Sequence, residues 1–311
     1  MTPKPVIIDC DTGVDDAIAL LLALRSPQLL DVLAITTVAG NVDAAQTARN
    51  SRIIRQIAER EEVPVYAGAG APLVRTPIIA DHFHGESGLG RLPLLEPKAP
   101  LAPGHSVQAI IDIVMSRPKG EVSMAVTGPM TNLALAMRLE PRLAGHLGDV
   151  AIMGGARMEG GNITASAEYN IYADPHAARV VFASGARVTA LGLDATHQVL
   201  TTPERLAKLA KIGTPAAKAA SNLFEFSAEV ELKHAGRHGA PLHDPCTVAW
   251  LMAPQLFTAV PARIQVETDS PLTLGHTQVE FRLPDPSAVS TFWVTKSDAE
   301  GVFDLLYEAM A

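Results

Sequence analysis

Strand-like and helical segments alternate along the first two thirds of the chain, and this order restricts the fold more than any other feature of the sequence. Short apolar and β-branched runs predict strands at residues 6–8, 32–38, 63–66, 121–126, 150–153 and 187–193. Helical periodicity predicts helices between them at 17–24, 44–58, 107–115, from 133 onward and at 175–183. Such alternation is typical of an α/β protein with an open, mostly parallel, Rossmann-like sheet and helices on both faces.

The last third of the chain has a more mixed pattern. It predicts helices at 203–210, 216–231 and 299–310, and strands at 264–267, 279–282 and 289–294. No internal repeat or low-complexity linker interrupts the sequence, so residues 1–311 are predicted to form one domain. Two long segments, 68–104 and 154–175, lack periodicity, and long irregular loops in a compact domain are usually functional or disordered.

Four aspartates, Asp9, Asp11, Asp15 and Asp16, are crowded between the first predicted strand and the first predicted helix. Ligands of open α/β sheets bind where strands end and helices begin. One of these aspartates is expected to cap the helix, but a cap needs only one carboxylate. The mutual repulsion of four carboxylates therefore indicates a site for a hard divalent cation or a sugar.

Composition restricts the possible partners. The chain has 311 residues, 48% of them hydrophobic, and a net charge of −8, so no nucleic-acid-binding surface is expected. No apolar run approaches the ~20 residues of a membrane span and no signal peptide precedes the first strand, so a cytoplasmic protein without membrane association is predicted. The two cysteines, Cys10 and Cys246, are predicted to be buried reduced thiols.

Four further segments have unusual polar density: VAGN, HGESGLG, EGGNITASAEYN and PLHDPC. Their candidate site residues are Asn41, His84, Asn162, Glu168, Asn170, His243 and Asp244. Taken singly, each of these residues also fits a helix cap or a solvated loop. Together they supply amides, carboxylates and imidazoles on loops at one edge of the predicted sheet, a combination that suits a cation and a polyhydroxyl ligand.

The order of these motifs resembles that of the inosine–uridine-preferring nucleoside hydrolase (ribonucleoside hydrolase) family over nearly the whole chain. The matching strings are IIDCDTGVDDA, TTVAGN, HGESG, TGPMTN, MGG with AEYNIYADP, GLDATHQ and HDPCTVAW. The family commonly has proline where this chain has Thr12, and little effect is expected because Thr12 is not an expected ligand. The resemblance implies the nucleoside hydrolase fold and a ribonucleoside as the small-molecule substrate.

The resemblance also implies a metal-assisted, inverting enzyme that cleaves the N-glycosidic bond to give ribose and free base. It implies a tightly bound Ca²⁺ with Asp11, Asp16 and Asp244 as side-chain ligands, together with the backbone carbonyl of Thr127. Carboxylates stabilise the oxocarbenium-like sugar of such reactions. Because Ca²⁺ acidifies water less than Zn²⁺ does, a carboxylate base is still needed, and Asp11 is assigned this role. Asp9 is expected to orient Asp11 or a neighbouring backbone group.

The substrate-binding residues implied by the resemblance are Asp15, Asn41, His84, Asn162, Glu168 and Asn170. Asp15 is assigned to the 2′-hydroxyl of the ribose and Asn170 to the 3′-hydroxyl, while Asn162 and Glu168 are assigned to the 5′-hydroxyl. His243 lies beside an expected metal ligand and is assigned as the donor of a proton to the departing base, because histidine titrates near neutral pH.

The nucleobase contacts are the part in which this chain departs from the family. Relatives carry aromatic, Arg or Gln side chains before HDP, where gap-free counting places Glu231 and Ala235 in this sequence. His234, Arg237 and His238 are alternative candidates. Without an aromatic ring at the gap-free positions, stacking on a purine is expected to be weak. The sequence therefore predicts activity on pyrimidine nucleosides such as uridine or cytidine, or a broad inosine–uridine preference.

Two alternative functions remain open at this point. Residues 9–13 are similar to the DxDxT string of haloacid dehalogenase-type phosphatases, but Gly13 stands at the fifth place and HDP would have no role. A non-catalytic nucleoside-binding protein would keep the metal and ribose residues without turnover. The resemblance further implies a homodimer or homotetramer, and nucleoside salvage as the role.

Overall fold

The structure is a computed structural model and describes residues 2–236 and 238–311. Within these ranges the strands are β1 (Lys4–Cys10), β2 (Leu30–Thr37), β3 (Val65–Tyr66), β4 (Ser123–Val126), β5 (Val150–Met153), β6 (Val188–Leu191), β7 (Phe257–Pro261), β8 (Arg263–Val266), β9 (Thr277–Glu280) and β10 (Thr291–Ser297).

The α-helices in the same ranges are α1 (Val14–Leu24), α2 (Ala44–Ile57), α3 (Asp81–His84), α4 (Ser106–Met115), α5 (Thr131–Leu139), α6 (Leu143–His146), α7 (Tyr169–Ala173), α8 (Pro175–Phe182), α9 (Leu193–Thr196), α10 (Pro203–Ala210), α11 (Pro215–Ala235), α12 (Asp244–Met252) and α13 (Ala299–Met310).

The central sheet has the strand order β3-β2-β1-β4-β5-β6-β10-β7. All neighbouring strands in it are parallel except β10 and β7, and β8 pairs with β9 in a separate antiparallel hairpin. The structure thus confirms the predicted α/β fold with an open, mostly parallel sheet. The strand order reverses between β1 and β4, and such a switch point is where ligands bind in open α/β sheets.

Alternate side chains of β1 enter two apolar cores, one on each face of the sheet. Val6, Ile8 and Cys10 pack with α1, α11, α12 and α13, whereas Ile7 packs with α4, α5 and α8. This division follows from the two-residue period of a strand. Because β1 is covered on both faces, its apolar run is continuous, as expected for a central parallel strand. The prediction of helices on both faces is confirmed.

The observed bounds differ from the predicted ones where they matter for the site. β1 continues to Cys10, so Asp9 is a strand residue, and α1 already begins at Val14. The sequence pattern does not predict β7, because Pro261 at its end argues against a strand. It also does not predict α7, a short helix inside the second irregular segment that Glu168 caps.

Both cysteines are buried and unpaired, as predicted. Among the helices that the structure describes, none combines the length and the apolar character needed to cross a membrane.

Candidate active site

The aspartate motif lies at the end of β1 and in the first turn of α1, at the switch point of the sheet. Asp11 follows β1, and Thr127 follows the neighbouring strand β4. Asp16 accepts a hydrogen bond from the Gly13 amide at 2.9 Å, which stabilises the start of α1. Asp244, the first residue of α12, lies beside Asp16 although it is distant in sequence.

Asp11 is fully buried, and only one of its carboxylate oxygens is bonded to protein. Its Oδ2 accepts a hydrogen bond from the Asn41 amide at 2.8 Å, while its Oδ1 has no hydrogen-bond partner among the described residues. Gly40 and Gly128 pack so closely that a β-carbon at either position would overlap this carboxylate. Burial, followed by the charge of Asp16, raises the pKa of Asp11 well above its usual value. A buried carboxylate oxygen of this kind could serve as a ligand of a cation.

Asp16 accepts hydrogen bonds on both of its carboxylate oxygens. Asn41 Nδ2 donates to Oδ2 at 3.0 Å, and Thr127 Oγ1 donates to Oδ1 at 2.7 Å. Burial, followed by the charge of Asp15, raises the pKa of Asp16 to about 6. Asn41 therefore contacts Asp16 with its side chain and Asp11 with its backbone, and it fixes the two carboxylates relative to each other.

Carboxylate oxygens of Asp15, Asp16 and Asp244 lie within 4.8 Å of one another. Burial, followed by the charges of Asp15, Asp16 and Asp11, raises the pKa of Asp244 well above its usual value. An oxygen-only group of this kind fits a hard divalent cation. Asp15 belongs to this compact group, whereas Asp11, which the resemblance implies as a ligand, does not. Asp11 is nevertheless close enough for its charge to raise the pKa of Asp244.

Glu168 and Asn170 bring the second irregular segment to the same place. The buried Glu168 carboxylate accepts hydrogen bonds from three backbone amides, including that of Asn170 at 2.9 Å. Burial raises the pKa of Glu168. Asn170 Nδ2 donates to the carbonyl oxygens of Thr127 at 2.7 Å and Met153 at 3.2 Å. Because both Nδ2 protons are used, Asn170 offers a ligand its Oδ1, which is an acceptor.

Asn162, in contrast to Asn170, offers a ligand a hydrogen-bond donor. Its Oδ1 accepts a hydrogen bond from the Tyr169 amide at 2.9 Å, so it offers a ligand its Nδ2, which is a donor. The Tyr169 hydroxyl donates to the Gly40 carbonyl at 2.7 Å and so ties this segment to the backbone behind Asp11. Sequence reasoning missed Tyr169, because the AEYN string contains it without showing which distant carbonyl it would reach.

Most of these side chains line one cleft of about 400 Å³. The predicted site residues that line it are Asp15, Asn41, His84, Thr127, Asn162, Glu168, Asn170, His243 and Asp244. The other two, Asp11 and Asp16, are fully buried behind this lining. The structure therefore brings together all the motifs that the sequence predicts to form a site.

The two predicted site histidines have defined partners. His84 Nδ1 accepts a hydrogen bond from the Val14 amide at 3.1 Å and lies 3.9 Å from Asp15 Oδ1. Because Nδ1 is the acceptor, the proton of a neutral His84 is on Nε2. His243 Nδ1 is hydrogen-bonded to Thr196 Oγ1 at 2.8 Å. The Nδ1 edge of the His243 ring is therefore directed at Thr196.

Another part of the cleft combines two residues that the sequence offers for base contacts, Glu231 and His234, with Phe83 and Glu159, which the sequence did not single out. The rings of Phe83 and His234 lie 5.3 Å apart, and Glu231 lines the cleft with them. His197 Nδ1 is hydrogen-bonded to Glu159 Oε2 at 2.8 Å, and both residues also line the cleft. The HFHG string contained a signal for Phe83, which supplies an aromatic ring from a segment other than the one before HDP.

The residues that the sequence offers for contacts with the nucleobase differ in whether they line the cleft. Glu231 and His234 line the cleft. His238 is exposed and is not among the described residues that line it. Arg237 lies outside the described residues.

Asp9 does not line the cleft, although it belongs to the aspartate motif. It is fully buried, and its Oδ1 accepts hydrogen bonds from Thr36 Oγ1 at 2.7 Å and Asn132 Nδ2 at 2.9 Å. Its backbone carbonyl accepts a hydrogen bond from the Thr127 amide at 2.8 Å, and burial raises the pKa of its carboxyl to about 6. A DxDxT phosphatase would need this carboxylate as its nucleophile, so its burial argues against that alternative.

The sheet and the carboxylate-lined cleft at its switch point define an α/β protein with an acidic group that could hold a cation. The chain belongs to the inosine-uridine preferring nucleoside hydrolase family, whose model matches residues 6–304. This match confirms the resemblance that the motifs indicate.

Individual relatives match over nearly their whole length. The chain is 40% identical over 309 residues to the inosine-uridine preferring nucleoside hydrolase of Crithidia fasciculata, covering 99% of this chain and 98% of the relative. It is 41% identical over 313 residues to the pyrimidine-specific ribonucleoside hydrolase RihA of Photobacterium profundum, covering 99% of each. A solved structure, the plant nucleoside hydrolase PpNRh1, superposes with a TM-score of 0.92 at 33% identity, covering 99% of each chain.

Proposed function

We propose that the protein hydrolyses the N-glycosidic bond of ribonucleosides to ribose and free base in a Ca²⁺-dependent, inverting reaction. One observation carries the proposal: Asp15, Asp16 and Asp244 converge at a cleft that Asn162 and Asn170 also line. Carboxylates and amides of this kind suit a cation and the hydroxyls of a sugar. The family match supports a nucleoside as the molecule that carries this sugar.

The metal would be held by Asp11, Asp16, Asp244 and the carbonyl oxygen of Thr127, with Asp15 beside them. The donors are all oxygens, and the buried Asp11 Oδ1 has no other partner among the described residues, which fits Ca²⁺ with its six to eight oxygen ligands. The bound cation would neutralise the carboxylates and act as a Lewis acid toward oxygen.

The polarity of the side chains supports the assignment of the ribose hydroxyls. Asp15 accepts from the 2′-hydroxyl, and Asn170 Oδ1 accepts from the 3′-hydroxyl. Asn162 Nδ2 donates to the 5′-hydroxyl, and Glu168 accepts from it. Asn41 supports this arrangement mainly by holding the carboxylates, because it already donates to Asp11 and Asp16.

Catalysis in this proposal divides between the two sides of the sugar. Asp11 accepts a proton from the attacking water, and the surrounding carboxylates stabilise positive charge on the oxocarbenium-like sugar. On the other side, His243 Nε2 donates a proton to the departing base, so that the base leaves as a neutral molecule. His84 Nδ1 already accepts from the Val14 amide and lies near Asp15, which supports a role in holding the 2′-hydroxyl side of the site.

A single assay separates this function from its alternatives. The metal-loaded protein is incubated with ribonucleosides and, separately, with their 5′-phosphates. A ribonucleoside hydrolase releases ribose and free base from the nucleosides, a phosphatase releases inorganic phosphate from the nucleotides, and a non-catalytic binding protein releases neither. Ribose release without phosphate release is expected.

We predict that uridine or cytidine is hydrolysed with a kcat/KM at least comparable to that for inosine. Phe83 and His234 supply two rings to the cleft, but Glu231 supplies none at the gap-free position where relatives carry aromatic, Arg or Gln side chains, so weaker stacking on a purine is expected here than in those relatives. The pyrimidine-specific name of one relative supports the prediction. Measured kcat/KM values for a panel of ribonucleosides test it, and an inosine value more than tenfold above both pyrimidine values would contradict it.

Metal binding is predicted to stabilise the protein more at pH 7.5 than at pH 5. The pKa of Asp16 is raised to about 6 by burial and by the charge of Asp15. A raised folded-state pKa means that the unfolded chain ionises first, so metal-free stability falls as the pH rises from about 4 to about 6. The cation binds the ionised form, so its binding strengthens over the same range.

The measurement is the melting temperature with and without Ca²⁺ at the two pH values. Ligand at 100 times its Kd adds about 2.7 kcal/mol of stability, which corresponds to a rise of a few degrees at pH 7.5. A smaller rise is expected at pH 5. An equal rise at both pH values, or no rise at either, would show that these carboxylates do not hold the metal.

We also propose that residues 1–311 form a single domain and that the protein acts as a homodimer or homotetramer. The family match across residues 6–304 supports one domain. Nucleoside salvage in the cytoplasm is the proposed role, since free bases and ribose are reusable products and the two buried cysteines are unpaired. Analytical ultracentrifugation of the metal-loaded protein measures the oligomeric state.

A further inference from the structure

The GLDATHQ segment, residues 192–198, has no role in the mechanism above, although it is one of the motifs that the sequence singles out. It contains α9, which directly follows β6. Together with the three residues after it, it forms the α9 segment (residues 192–201), which contacts His243 and the loop that carries Asn162 through backbone hydrogen bonds, side-chain hydrogen bonds and one ring contact.

The backbone after α9 is bonded to the backbone before His243. The Thr201 amide donates to the Ala240 carbonyl at 2.9 Å, and the Leu242 amide donates to the Val199 carbonyl at 2.8 Å. Because Leu242 immediately precedes His243, these backbone hydrogen bonds fix the main chain of His243 to the α9 segment independently of the side chains.

Thr196 makes the direct contact with the imidazole. Its Oγ1 lies 2.8 Å from His243 Nδ1, and Thr196 is fully buried. Within the described parts of the chain, this is the one hydrogen bond that the hydroxyl makes. If the His243 ring turned away, the buried Thr196 hydroxyl would lose its hydrogen-bond partner, which costs free energy. The bond therefore strongly favours the ring orientation in which Nδ1 faces Thr196.

His197 contacts the same imidazole from one side. The two rings lie 5.8 Å apart with a tilt of 55°. His197 is itself fixed through its hydrogen bond to Glu159. Asp194 of α9 also accepts hydrogen bonds from the Arg157 and Met158 amides, each at 2.7 Å. The α9 segment therefore holds both the imidazole and the start of the loop that leads to Asn162.

We propose that Thr196 is a positioning residue for the reaction, whose hydroxyl holds the Nδ1 edge of His243 so that Nε2 points toward the departing base. The inference rests on the proposed role of His243 as the proton donor. A ring that turns about its Cβ–Cγ bond presents carbon or Nδ1 to the base for part of the time, and misplacement of a reacting group is costly in rate.

Thr196→Val tests the proposal, because valine keeps the shape of threonine and removes the hydroxyl. With the best natural ribonucleoside, kcat is expected to fall by roughly 10- to 100-fold, as for a lost hydrogen bond to a group that carries charge. With p-nitrophenyl riboside, whose leaving group needs no proton, kcat is expected to change by less than about threefold. Thr196→Ser retains the hydroxyl and should restore most of the activity on the natural nucleoside.

Thr189→Val is the matched control, because Thr189 in β6 is buried and its hydroxyl has no hydrogen-bond partner among the described residues. This variant should leave kcat unchanged on both substrates. If the valine variant of Thr196 fails to fold, the Thr196→Ser and Thr196→Ala variants give the same comparison, since they differ only in the hydroxyl. Equal loss on both substrates, or no loss on the natural nucleoside, would overturn the proposal.

His243→Ala separates this inference from the proposed function. It should lower turnover of the natural nucleoside far more than that of p-nitrophenyl riboside. If His243→Ala shows this selectivity and Thr196→Val does not, the positioning role of Thr196 is wrong while the proton donor stands. If His243→Ala lowers both rates equally, the assignment of the proton donor itself is wrong.

Discussion

Removing the 2′-hydroxyl of the substrate is expected to lower kcat/KM by roughly 10⁴–10⁵-fold, as for sites built to bond a hydroxyl that the analogue lacks. Asp15 is partly exposed at the cleft, and its carboxylate lies beside those of Asp16 and Asp244. A deoxyribose would leave the Asp15 carboxylate without the hydroxyl donor in a site whose carboxylates already repel one another. The measurement compares uridine with 2′-deoxyuridine and inosine with 2′-deoxyinosine.

The 5′-deoxy analogues provide the control for this comparison. Asn162 and Glu168 keep their hydrogen bonds to the protein whether or not a 5′-hydroxyl is present, so the loss should be smaller than with the 2′-deoxy substrates. Equal efficiency on ribonucleosides and 2′-deoxyribonucleosides would show that Asp15 does not hold the sugar in the proposed way.

Asp11→Asn is expected to lower kcat by about 10²–10⁴-fold, the usual contribution of a positioned general base. Asparagine keeps the shape of the side chain but cannot accept a proton in the same way. It also removes one unit of charge from a group that includes Asp16 and Asp244. Metal content must therefore be measured for the same samples, so that loss of the base is distinguished from loss of the metal.

Asp43→Asn is a matched control for the Asp11 variant. Asp43 caps α2 near Asn41, and asparagine serves equally well as an N-cap. This variant should keep its activity and its metal. A metal-loaded Asp11→Asn protein with near-normal turnover would show that another group accepts the proton.

Local patterns predicted most of the fold. The apolar run of β1 and the periodicity of α1 are properties of contiguous residues, so the first strand and helix are visible in the sequence. The edge strand β7 is not, because it ends in Pro261 and has a partly exposed face. The strand order of the sheet also depends on pairings between distant segments, which no local pattern specifies.

In the candidate site, too, residues within local motifs could be predicted, whereas contacts between distant residues could not. The aspartates and the asparagines stand in short motifs whose chemistry is unusual, so they were found without a structure. Pairs such as Glu159 with His197 and Phe83 with His234 were not found, because each joins residues far apart in sequence. The same is true of the hydrogen bond between Thr196 and His243, although both residues stand in motifs that the sequence singled out.

The most direct test of the central claim is ribose release by metal-free protein titrated with Ca²⁺ in the presence of a ribonucleoside. The structure brings Asp16 and Asp244 together from two ends of the sequence, and a cation between them is the proposed requirement for turnover. Little ribose should be released without metal, and release should rise to a plateau at about one bound Ca²⁺ per chain. Full ribose release by the metal-free protein, or none from the Ca²⁺-saturated protein with any ribonucleoside, would contradict the account.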